Sequence, residues 1–174
     1  MFDLEALRQR AALVEFGASE VRDGVATIDG QPTPLDALDQ TRLDAAVVAL
    51  IRPEVTGAIE AVVSSTRKTL AQASPEEMAA WSTKAAAARA FKASGDAPAI
   101  LAAEAEVTGE TVEALAGRII ANADAFEAME ARLTGLRRKF SWAARDAATH
   151  EAALAALSAA QAACADLIAA ARAG

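Results

Sequence analysis

The feature that most constrains the fold is a helical repeat of apolar residues in the second half of the chain. Between residues 112 and 140, apolar side chains recur three and four positions apart, close to the heptad average of about 3.5 residues. This spacing predicts a long helix with a narrow, coiled-coil-like seam along one side. The seam residues are Val112, Leu115, Ile119, Ala123, Phe126, Met129, Leu133, Leu136 and Phe140.

A second seam follows after Thr149, whose hydroxyl is suited to cap a final helix. Two antiparallel helices joined near Ala148 would let the two seams face each other. The second seam consists of Leu154, Leu157, Gln161, Cys164, Ile168 and Ala171.

Alanine shapes the rest of these helices. Hydrophobic residues make up 53% of the 174 residues, but alanine buries far less apolar area than leucine or phenylalanine. We therefore expect a mainly α protein with a thin core, built as an elongated helical bundle or a long helical hairpin. Such a chain is expected to associate with itself to complete its core.

The first 34 residues differ from the rest. Residues 2–16 show helical spacing that stops at Gly17, and two Asp-Gly turns then flank the extended-type residues 25–28. We predict a short helix followed by a small hairpin or extended loop, which together form a docking segment at 1–34 ahead of an alanine-rich helical domain at 35–174. The expected apolar face of the short helix consists of Leu4, Leu7, Ala11 and Val14.

Proline and capping residues divide the middle of the chain. Helical periodicity runs over residues 35–51, and Pro53 predicts a break or a kink before a second helix at 54–73. Ser74-Pro75-Glu76-Glu77 forms a capping box, with serine as N-cap and glutamate three residues later.

The helix that begins at the capping box is expected to end near Gly95. Asp96 is then placed to cap a short helix over residues 97–107. Thr108-Gly109 predicts the next break, directly before the long seam helix.

The charge balance argues against polyanionic partners. There are 17 lysines and arginines against 24 acidic residues, a net charge of −7, and only 4% of the chain is aromatic. Such a field repels phosphate backbones and anionic lipids, so we expect no nucleic-acid partner. With one cysteine and no apolar run of about 18 residues, we also expect no internal disulfide and no membrane span.

No constellation of catalytic residues stands out. The single histidine, His150, and the single cysteine, Cys164, are fourteen residues apart in a predicted helix, roughly 21 Å. We interpret the first as a solvated first-turn residue and the second as a small buried hydrophobe. The sequence therefore predicts no catalytic residue, no metal ligand and no cofactor, and an enzyme ranks third among the function classes.

Several charged and aromatic residues have two interpretations. The pairs Glu76/Glu77 and Glu127/Glu130 fit a charged solvent face better than a cation site. Residues 137–139, Arg-Arg-Lys, spread their charges around a helix, although a partner's acidic patch remains an alternative. Trp81 and Phe91 share a helix face and serve either as core or as interface anchors.

Residues 78–148 carry a resemblance to a known group of proteins. The stretches that carry it are Trp81-Ser-Thr-Lys-Ala-Ala-Ala-Ala-Arg-Ala-Phe91, Leu101-Ala-Ala-Glu-Ala-Glu-Val-Thr-Gly-Glu-Thr-Val-Glu-Ala-Leu115-Ala and Ile119-Ile-Ala-Asn-Ala-Asp-Ala-Phe126. They resemble small alanine-rich helical proteins encoded among the tail genes of tailed bacteriophages and related prophage-like elements.

The resemblance implies a structural or assembly role in a phage tail, as a tail component or tail-fibre accessory. The implied partners are other tail proteins and further copies of the chain, in the virion or in the host cytoplasm during assembly. The interface candidates are Trp81, Phe91, Val112, Leu115, Ile119, Phe126, Leu133, Leu136 and Phe140. The alternative is a cellular phasin-like protein that coats hydrophobic surfaces with similar helices.

Overall fold

The computed structural model describes residues 2–71 and 75–173, and the side chains of residues 75–78 lie outside its description. The elements are, in chain order, α1 (Leu4–Glu15), β1 (Glu20–Arg22), β2 (Val25–Ile28), β3 (Gln31–Pro34), a 3-10 turn (Leu35–Ala37), α2 (Gln40–Ala71), α3 (Pro75–Ser94), α4 (Ala99–Thr108), α5 (Val112–Arg145) and α6 (His150–Ala173). The predicted mainly α class with a small N-terminal β element is confirmed, since helices account for 79% of the protein.

The N-terminal strands form an antiparallel sheet in the order β1-β2-β3. Two-residue turns connect them, with Asp23 and Gly24 in the first and Asp29 and Gly30 in the second. All four residues have φ between 48° and 76°, the left-handed values that a type I′ turn requires. The Asp-Gly dipeptides therefore predicted the turns, but the sequence analysis anticipated a single hairpin and not a third strand.

The third strand has the sequence Gln-Pro-Thr-Pro, which carries little strand signal. In β3, Pro32 lies opposite Thr27, and Pro34 lies opposite Val25. Because the two-residue turn makes Ile28 and Gln31 a hydrogen-bonded pair, both prolines occupy positions whose nitrogen faces away from β2. The free edge of β3 thus loses two donors, which disfavours pairing with another strand.

The buried face of α1 differs from the predicted one. Leu7 and Ala11 are buried as expected, and Ala12 joins them, whereas Leu4 and Val14 are exposed. The helix begins at an aspartate cap, since the Asp3 carboxylate accepts a hydrogen bond from the Ala6 N–H at 3.1 Å. The sheet and α2 decide which side is covered, and a short amphipathic pattern alone cannot fix that orientation.

Helix α2 continues through Pro53 from Gln40 to Ala71, so the predicted break is wrong, while the predicted kink stays a prediction. Proline inside a helix costs about 3 kcal/mol. Ile51 and Val55, on either side of it, are fully buried, and burial of each such side chain contributes about 1.5–3 kcal/mol. Pro53 has no N–H to donate to the carbonyl of Ala49, four residues before it. Both residues are exposed, so water can reach this carbonyl.

The next two helices agree with the predictions in part. The capping-box serine, Ser74, lies outside the described residues, and α3 ends before Gly95, whose φ is 80°. The predicted cap at Asp96 is wrong: α4 begins later, at Ala99, with Pro98 in the N-cap position. Pro98 provides no side-chain cap, and its backbone carbonyl accepts hydrogen bonds from the N–H groups of Leu101 at 2.9 Å and Ala102 at 3.1 Å.

A turn at residues 146–149 joins the last two helices near the predicted junction at Ala148, and Phe140 and Ala144 of α5 share a core with Ala153, Ala156 and Ala160 of α6. Thr149 caps α6, because its hydroxyl oxygen accepts a hydrogen bond from the Ala152 N–H at 3.2 Å. The buried face of α6 is rotated from the predicted seam, since Gln161 and Ala171 are exposed. The buried residues of α6 are Ala153, Ala156, Ala160 and Cys164.

The described residues include one helix, α6, that is long and apolar enough to cross a membrane by length and composition. Its most apolar 18 residues have a mean hydropathy of 1.6, and 22% of them are buried in the protein. Alanine accounts for most of this hydropathy. The expectation of no membrane span stays a prediction, since a helix of a soluble protein can also meet these criteria.

The chain divides into two compact units that do not coincide with the predicted boundary after residue 34. The first comprises Met1–Thr66 and Gly135–Gly174, and the second comprises Arg67–Thr134. The sheet belongs to the first unit, whose core combines the buried faces of α1, α2 and α6 with Ala26 of β2 and Phe140 of α5. The core of the second unit is small, with Ala88, Leu101 and Ala116 at its centre.

Candidate functional site

Eight of the nine predicted interface residues are buried or half-buried within the chain. Leu115 and Leu133 are completely buried, and Phe140 is buried in the core of the first unit. Such residues stabilise the monomer, and a partner could reach them only after a rearrangement. The half-buried candidates are Phe91, Val112, Ile119, Phe126 and Leu136.

Trp81 is the most exposed of the nine candidates, with 37% of its surface accessible. Its indole packs against Phe126 of α5 in an edge-to-face arrangement, with ring centroids 5.5 Å apart and an interplanar angle of 82°. This geometry is favourable for aromatic pairs. One part of the indole is therefore fixed by the protein while another part stays accessible.

A pocket in the second unit opens beside this indole and has a volume of about 390 Å³. Helices α3, α4 and α5 form its wall, and small alanines on α5 leave the space that larger side chains would fill. This volume is in the usual range of ligand pockets. The lining residues are Trp81, Lys84, Glu104, Arg118, Ile119, Asn122, Ala123 and Ala125.

Two ion pairs set the charge of the pocket. Lys84 Nζ lies 2.6 Å from Glu104 Oε2, and both side chains are about one-third exposed or less. Arg118 Nη2 lies 2.7 Å from Glu110 Oε1. Each pair is close to neutral, so the pocket has no strong excess of either charge.

Further ion pairs connect the helices around the pocket. Arg89 Nη2 of α3 contacts Asp124 at 2.6 Å and Glu127 at 3.1 Å on α5. The hydrogen bonds that the Arg89 guanidinium donates to Asp124 and Glu127 raise the pKa of Arg89. A neighbouring pair, Lys92 with Glu113, also connects α3 to α5. Exposed pairs of this kind each contribute little, and their combined effect is to fix the register of the two helices.

The acidic pairs named in the sequence analysis take part in ion pairing. Glu127 contacts Arg89, and Glu130 accepts two hydrogen bonds from Arg67 at 2.7 and 3.0 Å. Their cationic partners, Arg89 and Arg67, thus lie on other helices. The arginines that are close to them in the sequence, Arg132 and Arg137, are not these partners. The side chains of Glu76 and Glu77 lie outside the described residues. Within the described part of the chain, no group of three or more potential metal ligands comes together.

The histidine and the cysteine occupy separate places on α6. Cys164 is buried as predicted. His150 is less solvated than predicted, with its side chain 19% exposed and its Nε2 3.1 Å from Glu151 Oε1. Hydrogen bonds from the backbone of Glu151 and from Thr149 lower the pKa of the Glu151 carboxyl. These contacts stabilise the start of α6 and bring no nucleophile to the histidine.

Trp142 is a surface residue that the sequence analysis did not single out. It lies on α5 and is 56% exposed. The signal was present in the seam, because Phe140 and Ala144 point into the core and the residue between them must point outward. A tryptophan at such a position has no role in the core.

The comparisons with known proteins found no match, so the function has to be argued from the Trp81 pocket and the exposed Trp142 described above. No protein-family model, no curated protein and no solved structure matches the chain.

Proposed function

We propose that this protein is a non-catalytic structural or assembly protein of a phage tail, which acts by packing its helices against another tail protein. The proposal combines the resemblance carried by residues 78–148 with the exposed aromatic site of the second unit. The implied partners are other tail proteins and a second copy of the chain. The expected location is the virion or the host cytoplasm during assembly.

The observation that carries the proposal is the position of Trp81 at the edge of the 390 Å³ pocket. Interfaces between proteins are enriched in tryptophan, and their most important residues lie beside pockets that exclude water. The edge-to-face contact with Phe126 holds the indole in place before binding, which lowers the entropy lost on association. A partner helix could insert one apolar side chain beside Trp81.

Polar groups at the pocket add a second requirement. The Arg118 guanidinium has five N–H donors, and Glu110 engages one nitrogen of it. Asn122 is exposed beside it. A partner that combines an inserted apolar side chain with a nearby carboxylate or carbonyl would satisfy both parts of the site. This pattern of an apolar centre and a polar rim is typical of protein interfaces.

The experiment that tests the proposal is co-expression with the tail proteins encoded in the same genome. Each pair is purified through a tag on the partner, and the mass of the complex is measured by light scattering. We expect one tail protein to co-purify, and we expect Trp81→Ala to weaken that complex at least tenfold. Loss of a tryptophan at the centre of an interface commonly has an effect of this size.

The matched control is Val107→Ala, which shortens another exposed apolar residue of the same unit. Val107 is 88% exposed on α4 and does not line the pocket. This variant should bind the partner within twofold of the wild type. Failure of every tail protein to co-purify would argue against the proposal, as would equal losses in the two variants.

A second function is favoured by the composition of α6. This helix has a mean hydropathy of 1.6 over 18 residues, and most of that stretch is not buried in the protein. A phasin-like coat on a hydrophobic surface is therefore the alternative. Co-flotation of the purified protein with polyester granules would support it, whereas full recovery in the soluble fraction together with a bound tail protein would exclude it.

A further inference from the structure

The C-terminal half of α5 carries a concentration of positive charge in an otherwise acidic protein. Residues 137–145 contain four cations and no carboxylate. The other 13 of the 17 lysines and arginines are outnumbered by 24 acidic residues. A segment with this charge is attracted to anionic groups that the rest of the protein repels.

Helix geometry gathers part of this charge around Trp142. Successive residues turn by about 100°, so Arg138 and Arg145 lie within about 60° of Trp142 around the axis. They are four residues before it and three residues after it, which places all three on one outward face. The basic patch is defined here as Arg138, Trp142 and Arg145. By the same geometry Arg137 lies about 140° from Trp142 and is not part of this face.

Among the residues that the structure describes, the patch has no strong partner. Arg138 is exposed and forms no ion pair with any described residue. Arg145 contacts only the adjacent Asp146, at 3.1 Å, and both side chains are about two-thirds exposed. The neighbouring Lys139 is directed elsewhere, with its amine 5.1 Å from the Phe140 ring centroid. The cations around Trp142 are thus available to an anionic group from outside.

We propose that the basic patch binds an acidic segment of another protein, with Trp142 covered by an apolar residue of that segment. Tryptophan and arginine are the residue types most enriched at the centres of interfaces. The patch extends about 10 Å along the helix, the rise of seven residues, and one to two turns of an acidic helix cover that length. Carboxylates spaced three or four residues apart would meet Arg138 and Arg145 together.

The other two candidate occupants fit the patch less well. A nucleic acid needs a positive surface that follows many phosphates and several aromatic side chains for stacking, whereas here two arginines flank one indole in a chain of net charge −7. A second copy whose twofold axis passed through the patch would place the patch on itself, and the like charges would repel. An acidic partner segment has neither disadvantage.

The test measures binding of a labelled synthetic peptide to the full chain by fluorescence anisotropy. The peptide is an alanine-based helix with glutamates at three- and four-residue spacing and one leucine, and a matched peptide carries glutamine in place of each glutamate. We expect the acidic peptide to bind, the glutamine peptide to bind at least tenfold more weakly, and the affinity to fall as salt is added.

Two variants locate the binding, and a third controls for total charge. Arg138→Glu with Arg145→Glu is expected to reduce the affinity at least tenfold, and Trp142→Ala at least threefold at every salt concentration. The control, Lys68→Glu with Arg172→Glu, reverses two exposed cations elsewhere and changes the net charge by the same amount. It should bind within twofold of the wild type.

Three results would overturn the proposal: no binding of the acidic peptide at low salt, equal losses in the patch and control variants, or tighter binding of a twenty-residue oligothymidylate through the same arginines. The last result would assign the patch to nucleic acid. Trp142→Ala keeps the test valid if the doubly reversed variant does not fold. The inference goes beyond the tail function and does not depend on it, since the peptide assay needs no tail protein and the Trp81 pocket lies in the other unit.

Discussion

Arg52 of α2 donates a hydrogen bond from Nη2 to the backbone carbonyl of Ala147, at 2.5 Å, across 95 positions of the chain. The carbonyl belongs to the turn that follows α5, where helical carbonyls lose their partners. The half-buried guanidinium of Arg52 therefore provides a hydrogen-bond donor at the C-terminal end of α5. This contact connects α2 to the turn between α5 and α6.

Removal of this contact is expected to destabilise the protein. Arg52→Ala leaves the Ala147 carbonyl without its charged donor, and hydrogen bonds to charged groups contribute about 1.5–3 kcal/mol. The free energy of unfolding, measured with urea, should fall by an amount in this range. Arg10→Ala is the control, because Arg10 forms an exposed ion pair with Glu54 and should change stability by less than about 1 kcal/mol. Equal effects of the two substitutions would contradict the prediction.

Replacement of Pro53 by alanine is expected to stabilise the protein. Alanine restores the N–H donor to α2 and is about 3 kcal/mol more favourable than proline inside a helix. The greater freedom of the unfolded chain offsets about 0.4–1 kcal/mol of this gain. We expect a net increase of about 1–2 kcal/mol in urea denaturation. A decrease would show that the core depends on a bend at this position.

We predict that the stability of the protein depends on pH through the carboxyl group of Glu151. Its pKa is lowered in the folded protein by hydrogen bonds from its own backbone N–H and from Thr149. A lowered pKa favours the folded state above the ordinary pKa of glutamate, and this contribution disappears as the pH falls through the lowered value. Glu151→Gln should therefore lower the melting temperature slightly at pH 7, on the order of 1–2 °C. The difference should shrink as the pH falls below the ordinary pKa of glutamate and through the lowered pKa of Glu151, and a difference that grew on acidification would contradict the assignment.

The ion pair between Arg67 and Glu130 is expected to contribute more than most surface pairs. Arg67 Nε contacts both carboxylate oxygens of Glu130, at 2.7 and 3.0 Å, and both side chains are about one-third exposed. A double-mutant cycle with alanine should give a coupling energy of about 0.5–1 kcal/mol. The same cycle on Arg145 and Asp146, which are adjacent and largely exposed, should give a coupling near zero. Equal couplings would show that the geometry of the first pair has no energetic effect.

The sequence by itself determined the features that depend on local chemistry. The Asp-Gly turns at Gly24 and Gly30 followed from the need for positive φ, and Gly109 ended α4 for the same reason. The three-and-four spacing correctly gave the length and the inward face of α5, including Leu115, Leu133 and Phe140. The turns depend on neighbouring residues alone, and the apolar side chains of α5 are large and regular enough for their spacing to indicate its buried face.

Tertiary packing decided what local preference could not. Helix α2 continues through Pro53 because Ile51 and Val55 are buried in one core, and β3 forms from Gln-Pro-Thr-Pro because β2 provides its partner. The exposed faces of Trp81 and Trp142 also depend on packing, since burial is set by the helices that cover each side. An alanine-rich helix has few large side chains to fix its orientation, so the long-range contacts of the folded chain select the face that is buried and the face that remains free to bind.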